Sequence, residues 1–228
     1  MHVDKVVVIG LGRFGYSLCK ALASTSIEVI AVDIDEEKVE NVEDFVAFPA
    51  VMDTKNLNSL KSLGVTIADV VIVSIGEDFE SSLLTISFLQ ELGVKRIIAR
   101  VINDVHHKII KSMGITETLR PEEQSGIDLA QQLTIDGVAE AADLGDGFSV
   151  VNMITPAQFE GSSLRDSELR SNFNLNLITV KRKLNKEDEE ATTLGTLDAD
   201  FILEKDDIMV LFGSKKDLKT LSRLHEKE

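Results

Sequence analysis

Three glycines carry the clearest chemical pattern in the sequence: Gly10, Gly12 and Gly15 lie in the stretch GLGRFG, directly after four aliphatic residues. Between a strand and a helix, the first glycine of a G-x-G-x-x-G motif makes a tight turn and the second lets the backbone approach phosphate. The third lets the helix pack close to the strand. Free N–H groups and the helix dipole attract an anion there. The motif predicts a nucleotide site; the alternative is a glycine turn that serves packing alone.

The same loop contains Arg13 and Phe14, and we include both in the predicted site. A guanidinium in the first turn of the helix can bind phosphate oxygens in a bidentate manner. We therefore expect a ligand that carries more phosphate charge than a bare pyrophosphate. The alternative for Arg13 is a solvated arginine at the start of a helix.

Carboxylates follow the second and third predicted strands. Asp33 lies at roughly the 20-residue distance at which such motifs place a carboxylate that binds ribose hydroxyls, and its charge disfavours the 2′-phosphate of NADP(H). Asp35 is either a second ribose contact or the cap of a helix that begins at Glu36. Asp53 either lines an adenine pocket or caps the helix that contains Leu57.

Two further segments end strands at the same expected edge of the sheet. Ser74, Ile75 and Gly76 end the fourth strand, and the backbone of a segment at a switch-point crevice contacts the nucleotide. Arg100 ends the fifth strand. It either adds positive charge to this site or pairs with an acid such as Asp104.

The sequence offers few residues for catalysis. Of the four histidines, only His106 and His107 fall near predicted strand ends, and adjacent histidines on a helix point in different directions. We find no Ser/His/Asp order, CxxC, HExxH or P-loop motif, and Cys19 is expected to be a small buried residue. These observations favour a protein that is not an enzyme, with a free-standing NAD(H)-dependent oxidoreductase as the alternative.

The formal net charge of −15 disfavours binding to nucleic acid. The basic run Lys181-Arg182-Lys183 is short and lies close to an acidic run, so a redox-sensing repressor would lack a basic DNA-reading element. No apolar run approaches the roughly 18–20 residues that span a bilayer, and no charged-then-apolar leader opens the chain. We expect a protein that neither crosses a membrane nor is secreted.

The first 136 residues alternate between short apolar runs and segments of helical period, which is typical of a parallel sheet covered on both sides. A helix is expected over Pro121–Leu133 and another beginning at Asp104. The predicted fold is α/β, a Rossmann-like doubly wound parallel sheet followed by a small α+β domain. The expected strands are Val6–Ile9, Val29–Val32, Ala47–Val51, Val70–Ser74, Ile97–Val101 and Glu117–Leu119.

The pattern changes after the stretch GVAEAADLGDG. We predict a nucleotide-binding domain over 1–136, a linker over 137–147 and a C-terminal domain over 148–228. In the last of these, Phe201–Leu203 and Ile208–Phe212 are expected to form a hairpin across Lys205-Asp206-Asp207. The other expected elements are strands at Ser149–Ile154 and Leu175–Lys181 and helices at Ser163–Asn172 and Leu218–Leu224.

Four stretches together resemble a known family. VVVIGLGRFGYSLCKAL, VIAVDIDEEKV, VVIVSIGED and HHKIIKSMGITETLRPEEQSG are similar to the RCK, or TrkA-type, regulatory subunits of Trk/Ktr potassium-uptake systems. The part from Ser149 through EKDDIMVLFGSKKDLKTL resembles the C-terminal domain of the same proteins. One departure is Asp206, where that domain commonly has glycine.

The resemblance implies a cytoplasmic sensor, peripheral at the inner face of the membrane, that forms homodimers and then an octameric ring beneath a potassium-translocating subunit. ATP, ADP or NAD(H) in the glycine-loop site would switch the ring. By this resemblance Arg13 would reach the ATP γ-phosphate, and Glu122 would help bind a divalent cation (Mg or Ca) near the phosphates. A carboxylate at Glu122 is a suitable ligand for a hard cation; a helix N-terminal carboxylate favoured by the dipole is the alternative.

The resemblance also suggests cyclic di-AMP as an effector of the C-terminal domain in some members. Arg170, Asn176 and Ile178 are the residues expected to line that site.

Overall fold

The computed structural model describes residues 2–134, 138–185 and 191–224. These residues divide into two units, Met1–Pro121 and Glu122–Glu228. Each unit has its own sheet.

The first unit contains a six-stranded parallel sheet in the order β3-β2-β1-β4-β5-β6. This order places a switch point between β1 and β4, where the crevice at the carboxyl ends of the strands receives ligands in such folds. The strands are β1 Lys5–Ile9, β2 Glu28–Asp33, β3 Phe48–Val51, β4 Val70–Val73, β5 Ile97–Arg100 and β6 Glu117–Leu119. The helices of this unit are α1 Arg13–Ala23, α2 Glu36–Glu40, α3 Leu57–Leu63, α4 Phe79–Glu91 and α5 Asp104–Ser112, whereas α6 Pro121–Thr134 begins at its last residue and otherwise belongs to the second unit.

Alternate residues of the central strands pack on opposite faces of this sheet. In β1, Val7 and Ile9 belong to one apolar cluster, whereas Val6 and Val8 belong to the other. Helices therefore cover both faces, and this explains why the strands are apolar runs without a polar side. Cys19 lies in the second cluster, where burial raises the pKa of its thiol to about 11. The predicted Rossmann-like fold is confirmed.

The second unit contains a five-stranded antiparallel sheet in the order β10-β9-β11-β8-β7. Met153, Leu175, Met209 and Leu218 are among the fully buried residues of its core. Its strands are β7 Val138–Gly145, β8 Phe148–Ile154, β9 Asn176–Arg182, β10 Thr192–Thr193 and β11 Ile208–Ser214, and its further helices are α7 Leu169–Phe173 and α8 Lys215–Ser222.

Most of the predicted linker is a strand. Val138–Gly145 pairs with β8, and the turn between them uses positive φ angles at 145, 146 and 147. Because alanine, glutamate and aspartate are depleted in strands, the local sequence did not indicate this edge strand. Residues 136 and 137 lie outside the described residues. The boundaries of the functional domains remain a prediction, although the division into two units falls earlier, at 121/122.

The predicted hairpin is wrong. Ile202 forms an isolated bridge with Ser163, whereas β11 pairs with β8 and β9. The buried carboxylate of Asp207 accepts the N–H of Glu204 at 2.8 Å and two N–H groups of Arg182 at 2.7 Å. These bonds close a turn before β11, so the preceding segment does not run back along that strand.

The predicted helix over Ser163–Asn172 is shorter than expected, because α7 begins only at Leu169. The Ser163 hydroxyl accepts the N–H of Asp166 at 3.1 Å, and Glu168 has a φ of 47°. Such local side-chain hydrogen bonds compete with the helix.

Candidate functional site

The glycine loop joins β1 to α1 through a close contact that only glycine permits. A Cβ atom on Gly15 would lie 1.9 Å from the carbonyl oxygen of Gly10. Gly10 has a φ of +93° and donates its N–H to the Val32 carbonyl at 2.7 Å. These contacts match the packing and turn roles predicted for the first and third glycines.

Gly12 faces open space instead. It is the N-cap of α1, where no side chain of the described residues caps the helix, and a Cβ atom on it would meet no described atom within 4 Å. The N–H groups of the first helical turn are thus left for a ligand, as a phosphate cradle requires. Of the two loop side chains, Phe14 is half-buried, and Arg13 is exposed with no hydrogen bond or ion pair to any residue that the structure describes.

Asp33 lies at the end of β2 beside this loop. Its side chain is buried, its Oδ2 accepts the N–H of Leu11 at 2.6 Å, and its Oδ1 accepts the N–H of Asp35 at 3.0 Å. The carboxylate therefore lies at the crevice, where the sequence predicts that it binds the ribose of a nucleotide.

The two other carboxylates are anchored locally. Asp35 caps α2 by accepting the N–H of Glu37 at 3.1 Å, so the capping alternative is confirmed. The capping alternative for Asp53 is wrong, because Asn56 caps α3 while Asp53 accepts the N–H of Lys55 at 2.9 Å. Both acids are exposed at the carboxyl edge of the sheet. Their predicted nucleotide contacts remain predictions.

Ser74 has a role that the sequence did not indicate. Its buried hydroxyl donates to the Ile9 carbonyl at 3.0 Å and lies within hydrogen-bond distance of the Gly10 carbonyl. It thereby fixes the glycine loop from the neighbouring strand. The backbone of Ile75 lies against Gly10, since a Cβ on that glycine would be 3.0 Å from the Ile75 nitrogen.

Arg100 reaches the same segment from β5. A Cβ atom on Gly76 would lie 2.2 Å from the Arg100 Nη1, so the absence of a side chain at 76 makes room for the guanidinium. Asp104, the pairing partner considered for Arg100, pairs with Arg120 at 2.9 Å. The structure thus brings Arg100 beside the Ser74–Gly76 segment. Its contribution of charge to the site stays a prediction.

The two adjacent histidines have different environments. His106 is fully buried, its ring lies 4.8 Å from the Phe79 ring, and its Nδ1 accepts the N–H of Ile102 at 3.3 Å. Burial lowers the pKa of His106. His107 instead lies 2.8 Å from an Arg120 nitrogen.

Glu122 lies exposed in the first turn of α6, at the start of the second unit. Among the described residues, no group of three or more His, Cys, Asp or Glu side chains could hold a metal ion. The cation role of Glu122 stays a prediction.

The second unit has a cleft of about 550 Å³. Arg170 and Asn176 line it, together with Arg165, Glu168 and Ser171. Ile178, the third residue expected there, lies on β9 and is not among the residues that line the cleft.

No helix in the described ranges is both long and apolar enough to cross a membrane.

Comparison with known proteins places this geometry in a family. The TrkA-N domain family matches residues 6–121, which is more than half of the chain. Ktr system potassium uptake protein C of Bacillus subtilis (strain 168) is 33% identical over 222 residues, covering 96% of this chain and 97% of that protein. The chain belongs to the RCK/TrkA family of potassium-uptake regulatory subunits.

Other members and neighbours of the RCK/TrkA family agree with this assignment. Ktr system potassium uptake protein A of the same organism is 34% identical over 212 residues, covering 93% of this chain and 92% of that protein. Among solved structures, the GsuK channel bound to NAD has a TM-score of 0.64 and 18% identity, over 98% of this chain and 39% of that one. This likeness shows the shared fold. The family resemblance inferred from the sequence is thus confirmed.

Proposed function

We propose that the chain is a nucleotide-responsive regulatory subunit of a Ktr- or Trk-type potassium-uptake system. The observation that carries the proposal is the open N-terminus of α1 at Gly12, which combines unused N–H groups with room for a phosphate. The names of the curated relatives support potassium uptake as the process it serves.

The ligand that fits this site is an adenine nucleotide: ATP, ADP or NAD(H). The glycine loop suits the phosphates, and the buried Asp33 suits ribose hydroxyls while repelling a 2′-phosphate. The backbone of Ser74–Gly76 suits the part of the nucleotide that crosses the switch point. Arg100 adds positive charge to this side of the site, and Asp35 and Asp53 lie at its rim. The GsuK channel, which shares the fold, binds NAD.

Arg13 gives the site a means to distinguish phosphate number. Its guanidinium is exposed and is not engaged by any described residue, so it is free to pair with a terminal phosphate. ATP and ADP then differ in their contacts with Arg13, and a ligand shifts a conformational equilibrium only by such a difference. A coupling free energy of about 1–3 kcal/mol would change the balance 5–150-fold.

Regulation of this kind needs binding and no bond-making, so we propose that the chain is not an enzyme. Glu122 is the proposed ligand of a divalent cation, Mg or Ca, because hard cations prefer oxygen ligands.

The proposed assembly is a homodimer that forms an octameric ring, located in the cytoplasm at the inner face of the membrane. A potassium-translocating subunit of the Trk or Ktr type is the proposed partner, and the curated relatives support this choice.

Calorimetric titration of ATP, ADP, NAD⁺ and NADH, with and without Mg²⁺ or Ca²⁺, tests the proposal when it is combined with mass measurement of the assembly. We expect saturable binding without turnover, and an assembly mass that corresponds to eight chains. Absence of binding to all four nucleotides would refute the proposal. Rapid oxidation of NADH with a reducible metabolite would instead favour the oxidoreductase alternative.

A second effector site is proposed in the cleft of the second unit. Two arginines and an asparagine line it, which suits a phosphate-containing ligand such as cyclic di-AMP. Titration of cyclic di-AMP into the wild type and Arg170→Ala tests this site. Equal affinity of the two proteins would refute it.

A further inference from the structure

The Asp33 carboxylate makes two hydrogen bonds to two different turns. Its Oδ2 accepts the N–H of Leu11, inside the glycine loop, at 2.6 Å, and its Oδ1 accepts the N–H of Asp35, in the turn after β2, at 3.0 Å. The side chain is buried, and Leu11 is also buried. The carboxylate therefore links the loop that would hold phosphates to the strand end that would hold ribose.

A role in ribose binding alone does not require the bond to Leu11. A carboxylate has about four lone-pair sites, and the two backbone bonds use one on each oxygen. Ribose hydroxyls can thus bind to Asp33 while the loop stays attached. A bond from a backbone N–H to an ionised, buried oxygen is also among the stronger hydrogen bonds in proteins.

The hydrogen bond to Leu11 also fixes the residue that directly precedes the open N-terminus of α1. Leu11 lies between Gly10, whose N–H is held by the Val32 carbonyl, and Gly12, whose N–H has no acceptor among the described residues. The loop is thus fixed up to Leu11 and open from Gly12 onward. Fixing Leu11 therefore helps to hold the following N–H groups where an anion can reach them.

We infer that Asp33 is a positioning residue for the phosphate subsite: its carboxylate holds the glycine loop in the conformation that receives phosphate. This inference rests on the proposed nucleotide site and assigns Asp33 a task there in addition to ribose binding.

Alanine at this position removes both acceptor oxygens, so the Leu11 N–H and the Asp35 N–H each lose their partner. The glycine loop and the β2 turn then both lose their anchor. Charge alone acts in the opposite direction, because removal of a negative charge near the site favours binding of an anion. Weaker binding of a polyphosphate would therefore report positioning and not charge.

The experiment titrates inorganic tripolyphosphate, which has no ribose, and ATP into the wild type, Asp33→Ala and Asp69→Ala. Asp69 is the matched control: its carboxylate also accepts two backbone N–H groups, those of Asp4 and Lys5, both at 2.9 Å, at the opposite end of the same sheet. We expect Asp33→Ala to weaken tripolyphosphate binding about tenfold or more and Asp69→Ala to leave it unchanged. Thermal unfolding of all three proteins shows whether each is folded.

A second measurement does not depend on the folding of a variant. In the nucleotide-free wild type, the Leu11 amide should exchange its hydrogen more slowly than the Gly12 amide, because only the former has an acceptor. Equal exchange rates of the two amides would overturn the inference. Wild-type tripolyphosphate affinity in a folded Asp33→Ala, with ATP alone weakened, would also overturn it and leave the proposed function intact. If the wild type binds neither compound, the proposed function itself is refuted.

Discussion

Replacement of Gly15 by alanine tests the packing of α1 against the glycine loop. The new methyl carbon would lie 1.9 Å from the Gly10 carbonyl oxygen and 2.8 Å from the Ser74 hydroxyl oxygen. The loop cannot easily yield, because Gly10 is bonded to Val32 on one side and to Ser74 on the other. Relief therefore requires a shift of α1 or the loop by about 1 Å, and such overpacking costs up to about 3 kcal/mol.

The free energy of unfolding of the first unit should accordingly fall by about 3 kcal/mol in Gly15→Ala, which corresponds to a decrease in Tm of roughly 10 °C. Urea unfolding followed by circular dichroism measures this change. Gly12→Ala is the control, because its φ of −63° and ψ of −174° suit alanine and no atom of the described ranges lies within 4 Å of the new methyl group. The free energy of unfolding of Gly12→Ala should lie less than about 1 kcal/mol below that of the wild type. A Gly15→Ala protein within about 0.5 kcal/mol of the wild type would refute this reasoning.

Three further substitutions have defined expectations. Arg13→Ala should weaken ATP more than ADP in calorimetry, and equal losses for both would contradict its role in distinguishing phosphate number. Asp206→Gly should raise the free energy of urea unfolding by about 0.5–1 kcal/mol, because Asp206 has a φ of 66° that glycine adopts without strain; a lower value would contradict this. Burial lowers the pKa of His106, so the unfolded chain binds the proton more readily and stability is lost as pH falls below about 6.5. Between pH 7.5 and 5, the free energy of unfolding of His106→Leu should therefore fall less than that of the wild type. If the two proteins lose the same stability over this range, His106 contributes nothing to it.

The sequence predicted the first unit well because its strands are short apolar runs that fit only a sheet buried on both faces. The expected Val6–Ile9 and Glu117–Leu119 agree with β1 and β6 to within one residue. The glycine spacing likewise predicted that Gly15 lets α1 pack close to β1, and its close approach to the Gly10 carbonyl fits that role.

The features that the sequence did not indicate depend on contacts between distant residues. The Ser74 hydroxyl reaches carbonyls about 65 positions earlier, and nothing in its local sequence indicates this bond. The pairing of Arg182 with Asp207 likewise decides the turn before β11, where local turn residues favoured a hairpin. Capping of α3 was one of two alternatives for Asp53, and DTKN offers a second acceptable cap in Asn56 within one turn, which is the cap that forms.

Titration of ATP into the wild type and Gly12→Ala tests most directly whether the open N-terminus of α1 is a nucleotide site. The wild type should bind ATP reversibly without hydrolysing it, whereas Gly12→Ala, with a methyl group where phosphate approaches the backbone, should keep its stability and lose most of its affinity. Equal ATP affinity in the two proteins, or no affinity in the wild type, would contradict the account.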